Sequence, residues 1–138
     1  KLFLADTGLF VTLAFKDKKF TENSIYTKLL NDKLRANLGY VYENAVAQLL
    51  ASKGDELYYY TFLNEKTRRN YEIDFLLARQ HKICPIEVKS SGYKTHASLD
   101  AFYKKFSSQI LQRYLLYTKD LRKEEDILCM PIYMAALL

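Results

Sequence analysis

The chain has 138 residues, of which 49% are hydrophobic and 27% charged. That balance suits one folded domain with a buried core and excludes a disordered polymer. No apolar run approaches the ~20 residues that cross a bilayer, and no cationic start leads into a short apolar core as in a signal peptide. No membrane partner is expected, and the cytoplasm is the expected compartment. A net charge of +5 is compatible with a polyanionic partner. Cys84 and Cys129 lie far apart in apolar sequence, without metal-ligand spacing, and read as buried free thiols of a reducing compartment.

The chain opens on "KLFLADTG" without an initiator Met, already in strand-like sequence, and reads as a fragment whose N-terminal neighbour is missing. "LFLAD" predicts a short strand, after which Asp6 or Thr7 caps a helical turn through "GLFVTLAF". Between Asn31 and Lys53, Leu34, Leu38, Val41, Ala45 and Leu49 recur at helical spacing, with Val46 and Leu50 widening the stripe. Gly54 stands where a left-handed C-terminal cap belongs. "ELYYYTFL" predicts a strand, the polar tip "NEKTRRN" follows, and "YEIDFLLA" predicts the next strand. "QHK" turns into "ICPIEVKS", where Pro85 suggests an edge or bulge position. Ser98 is placed to cap a helix that uses Leu99, Phe102, Tyr103 and Phe106. "ILQRYLLYT" and "ILCMPIYMA" predict two further strands around the charged loop "KDLRKEED", the last strand broken at Pro131. The order is mixed α/β in a single domain spanning 1–138, with neither repeat nor linker.

The segment 71–90 poses the functional question, because it sets ionised side chains into apolar strands, where they are rarely buried unpaired. An antiparallel hairpin centred between Gln80 and His81 puts Asp74 opposite Glu87 and Glu72 opposite Lys89. Glu72, Asp74, Glu87 and Lys89 then share one face, while Ile73, Phe75, Leu77, Cys84, Ile86 and Val88 share the other. Opposed carboxylates repel by ~1 kcal/mol in water and ~4 kcal/mol at an effective dielectric of 20. A divalent cation offsets that repulsion, since hard cations take carboxylate oxygens. With only Lys89 to balance the pair, Asp74→Asn is expected to leave the ion-free domain no less stable. The alternative is a cross-strand Glu72–Lys89 pair on a solvated face. Glu43 adds a further acid from the preceding helix, in line with the small residues Gly39 and Ala47.

A helix acid, a strand acid and then E-x-K on the next strand resembles the PD-(D/E)XK nuclease superfamily, with Glu43, Asp74, Glu87 and Lys89 at the motif positions. Asp74 follows Ile73 where the superfamily's name has Pro. The resemblance implies a restriction-endonuclease-like core, a small mixed β-sheet flanked by helices. It also implies Mg²⁺ or Mn²⁺ held by Glu43, Asp74 and Glu87, with Lys89 assisting water attack on a DNA phosphodiester. "KLFLADTGLF", "GYVYENAVAQLL", "YEIDFLL" and "PIEVKSS", in that order, resemble the uncharacterised C-terminal domain of prokaryotic AAA+ ATPases. That implies an ATPase domain of the same chain as partner, and an oligomer of such chains is compatible with it. No G-x-x-x-x-G-K-[ST] loop occurs in these residues, so ATP belongs to the missing N-terminal part. The expected function is metal-dependent hydrolysis of DNA. The alternative is an inactive nuclease-like fold that binds DNA or a protein. Lys66, Arg68 and Arg69, at the tip between two strands, are candidate phosphate contacts or a solvated turn.

Overall fold

The computed structural model describes residues 1–15, 38–64 and 67–138. Three α-helices appear among the described residues: α1 (Thr7–Phe15), α2 (Leu38–Ser52) and α3 (Ala97–Phe106). The six strands are β1 (Tyr58–Asn64), β2 (Arg69–Arg79), β3 (Lys82–Val88), β4 (Arg113–Tyr117), β5 (Arg122–Glu124) and β6 (Ile127–Pro131). They form one mixed sheet in the order β1-β2-β3-β4-β6-β5. Pairing is parallel for β3–β4 and β4–β6 and antiparallel elsewhere. The expected mixed α/β sheet with flanking helices is therefore present. No helix among the described residues is long and apolar enough to cross a membrane.

The core has two layers, one on each side of the sheet. On one face Val46, Ala47 and Leu50 of α2 pack on Phe75, Leu77, Cys84, Ile86, Val88, Leu116 and Met130. On the other, Leu99 and Phe102 of α3 pack on Ile73, Leu115, Tyr117, Ile127 and Cys129. Arg113, buried under α3, fixes that helix to β4 through Asp100 at 2.8 Å and also pairs with Asp126 in the β5–β6 turn. The α2 stripe ends as its spacing predicts, with Gly54 at φ +86° closing the helix. The first part of the predicted 31–53 helix lies outside the described residues.

The β2–β3 turn has the even count the register needs. Gln80 and His81 both take positive φ, +49° and +64°, as a two-residue I′ hairpin turn requires. The ladder accordingly runs Arg79↔Lys82, Ala78↔Ile83, Leu77↔Cys84, Leu76↔Pro85 and Phe75↔Ile86.

Several expectations need correction. "LFLAD" forms no strand; Leu4 is instead bonded to the side chain of Asn44. Asp6 does cap α1, its Oδ1 accepting the Leu9 N–H at 2.7 Å. Pro85 stands inside an interior strand rather than at an edge. Its missing N–H falls between the bridge at Ile83 and the parallel ladder that begins at Ile86. Ser98 lies within α3, whose first cap position is His96. The part of "KDLRKEED" expected as loop contains the short strand β5.

Candidate functional site

The site begins with an irregularity in β2. Tyr58 pairs with Leu76 but Tyr60 pairs with Ile73, so Tyr59 alone stands opposite Asp74 and Phe75. One extra residue in β2 is a bulge, which inverts the alternation of faces beyond it. Ile73 therefore packs against α3, not with Phe75 and Leu77 as strict alternation predicted. The bulge also releases the Asp74 side chain from the sheet face. Its Oδ2 accepts the backbone N–H of Val88 at 2.8 Å, so a carboxylate replaces a main-chain carbonyl where the β2–β3 ladder stops.

Glu87 lies just past the same point on β3, and Lys89 directly follows the strand's last residue. Alternation places Ile86 and Val88 with α2, and Glu87, beside Leu115 in register, toward α3. The Lys89 ammonium contacts Glu87 Oε1 at 2.7 Å. Glu72 does not face Lys89: Glu72 pairs with Thr61 in the ladder, and the Lys89 N–H bonds the Leu116 carbonyl. The four charged residues thus do not share one face. They converge from both faces on the gap where β2 and β3 part.

Glu43 enters that gap from α2. Together Glu43, Glu72, Asp74, Glu87 and Lys89 line one cleft of about 380 Å³, completed by Tyr40, Asn70 and Ser98. Lys1 lines it too, and no periodicity or motif pointed to Lys1. Its ammonium lies 2.5 Å from Glu72 Oε1, 2.8 Å from Asp74 Oδ1 and 3.1 Å from Glu43 Oε2.

The electrostatics follow from burial. Glu87 is 5% exposed, and its Oε2 has no hydrogen-bond partner. Burial pushes its carboxyl above the usual range, against the pull of Lys89. Burial and the charge of Asp74 raise Glu43 as well, while Lys1 opposes them. Burial by itself would lower the Lys1 ammonium, but its bonds to Asp74, Glu72 and Glu43 outweigh this and raise it.

Asn44, 1% exposed, explains why Lys1 is where it is. Its Oδ1 accepts the Leu4 N–H at 2.8 Å, and its amide donates to the Leu4 carbonyl at 3.0 Å and Thr7 Oγ1 at 3.1 Å. One turn on, Gln48 Oε1 accepts the Thr7 N–H and hydroxyl. An Asn inside a helix, where it is a poor helix former, was the available signal.

Arg68 and Arg69 are exposed at the β1–β2 turn, with Arg68 at φ +53°. Lys66 lies outside the described residues. Among the described residues no group of three or more His, Cys, Asp or Glu side chains is arranged to hold a metal ion. Three of the cleft's four carboxylates already accept Lys1, and the fourth accepts Lys89.

A family model described as "Domain of unknown function (DUF4143)" matches residues 38–135. No curated protein and no solved structure matches the chain. The chain belongs to the DUF4143 family, whose members are found in general as the C-terminal region of AAA-type ATPases.

Proposed function

We propose that this DUF4143 domain is the nuclease-like part of an AAA-type ATPase and that its cleft hydrolyses DNA phosphodiesters with Mg²⁺ or Mn²⁺. One observation carries the reading: Glu43 from α2, Asp74 from β2, Glu87 from β3 and Lys89 just beyond β3 line a single cleft. The donor chemistry fits a hard cation. The orphaned Glu87 Oε2 is a buried anionic oxygen without a donor, which costs roughly 1–3 kcal/mol or more and which a divalent ion would offset. The described acids are not grouped around an ion while Lys1 engages Glu43 and Asp74; with Lys1 withdrawn, Glu43, Asp74 and Glu87 would hold the ion, which when bound would supply charge neutralisation at the phosphate and a more acidic water.

The chain's own groups do the rest. Val88 fixes the Asp74 carboxylate through a buried hydrogen bond. Glu87 Oε1 holds the Lys89 ammonium at the cleft, where it offers a fixed positive charge to a phosphate oxygen or an attacking water. Arg69, the first residue of the strand that carries Asp74, and Arg68 in the turn before it are available for backbone phosphates.

The test is DNA cleavage by the full chain in Mn²⁺, with EDTA as control. Cleavage should fall by about 10²-fold or more in Lys89→Ala, the scale of one positioned proton-transfer or charge-stabilising group. A parent chain that never cuts, yet binds DNA with a steep salt dependence, would instead support a nuclease-like fold used for binding. The Lys1 ammonium among the acids is the observation that favours this second reading.

A further inference from the structure

The acid cluster already holds a cation, and that cation is covalently part of the chain. Lys1 reaches three carboxylates at 2.5–3.1 Å. Its placement is built rather than incidental. Asn44 and Gln48, one helical turn apart on α2, grip the backbone and hydroxyl groups of Leu4 and Thr7, so the segment bearing Lys1 is seated on the helix that bears Glu43. Most of the Lys1 side chain is covered, at 19% exposure.

The oxygen inventory shows the consequence. Asp74 Oδ2 is engaged by the Val88 N–H and Oδ1 by Lys1, so neither of its two oxygens is free. Glu43 Oε2 is engaged by Lys1 as well. Among the described carboxylates that line the cleft, Glu87 is the one with a buried oxygen, Oε2, that lacks a donor. An incoming cation meets one open buried oxygen and, beside it, a positive charge that repels it and holds the donors it needs.

We infer that Lys1 is a tethered competitor of the divalent ion: its ammonium fills the acid cluster when no ion is bound, and ion binding requires it to swing out. The inference rests on the proposed reading of the cleft as a cation site and adds its regulation. Whatever moves the segment 1–7 off α2 then also opens the site to metal.

Calorimetric titration of the EDTA-stripped full chain with MnCl₂ tests it, comparing the parent with Lys1→Gln and Lys1→Arg. Lys1→Gln removes the ammonium and should bind Mn²⁺ about tenfold or more tightly than the parent. Lys1→Arg keeps a cation and should bind as weakly as the parent. Without metal, Lys1→Gln should melt below the parent, and Mn²⁺ should restore it, because binding to the native state alone stabilises that state. Equal Mn²⁺ affinity in the parent and a folded Lys1→Gln would overturn the inference while leaving the cation site intact. No Mn²⁺ binding by either chain would overturn both. Tighter binding by Lys1→Gln with no cleavage of DNA would uphold the competition and remove the nuclease reading.

Discussion

Asp74 carries two duties through its two oxygens, a main-chain bond to Val88 and an ion pair to Lys1. Alternation in the sequence located this residue and its neighbour Glu87, but the expectation that Asp74→Asn would relieve repulsion assumed that only Lys89 balanced the acids. Lys1 changes the sign. An Asn side chain still accepts the Val88 N–H, but it then turns an amide donor toward an ammonium. Asp74→Asn should therefore destabilise the ion-free domain by on the order of 1–3 kcal/mol, the cost of stranding a part-buried charged partner. Urea unfolding in EDTA measures it, and an unchanged midpoint would show that the Lys1 contact contributes nothing. Glu87 gives a prediction in pH. Its carboxyl is raised by burial, so the folded state binds its proton more tightly than the unfolded state does. Stability from this group is present at low pH and declines as pH rises from the ordinary carboxylate value through the raised one. Glu87→Gln cannot ionise, so it should gain stability relative to the parent between about pH 4.5 and about pH 7. Parallel unfolding curves at both pH values would contradict this. Glu87 and Lys89 were legible because an i, i+2 pair on a strand must share a face. Lys1 was not, because its position depends on a segment without regular structure.

At the scale of elements, the two-residue turn at Gln80 and His81 fixed the β2–β3 register, and that register follows from an even loop alone. The β2 bulge was invisible, since the pattern of Ile73, Phe75 and Leu77 reads as one continuous face. A bulge is set by pairing with β1, so it leaves no local periodic mark. Yet it is the bulge that lets acids from two faces of the sheet meet. Helix α2 has the second long-range role. It buries Val46 and Leu50, offers Glu43 to the cleft, and through Asn44 and Gln48 holds the N-terminal segment. Asn44→Leu removes both partners of the Leu4 peptide groups in a buried place, and should cost about 1–3 kcal/mol per polar group left unpaired. Hydrogen exchange should show the Leu4 amide losing protection in this variant while the amides of β3 keep theirs. Equal loss in both would mean that Asn44 supports the whole core rather than the segment carrying Lys1.

For the whole molecule, the interleaving of strand and helix patterns was enough to give a mixed sheet with helices on both faces. The strand order was beyond reach, because β3, β4 and β6 are joined by parallel crossovers, which leave no turn signal, and β5 only adds an antiparallel hairpin at the β6 edge. The excess of positive charge is a property of the entire chain, +5 overall, and it sets negative carboxylates in a basic body. Under the proposed function, the general field would draw a phosphate polymer toward the cleft and the local acids would fix the ion. The proposed function depends on whether these carboxylates hold a divalent ion. A crystal of the full chain soaked in MnCl₂, with data recorded at the manganese edge, tests this most directly. An anomalous peak is expected in the cleft, bound by Asp74 and Glu87, with the Lys1 side chain displaced from Asp74 Oδ1. Lys1 still seated among Glu43, Glu72 and Asp74, with no peak in the cleft at saturating Mn²⁺, would contradict the proposed function.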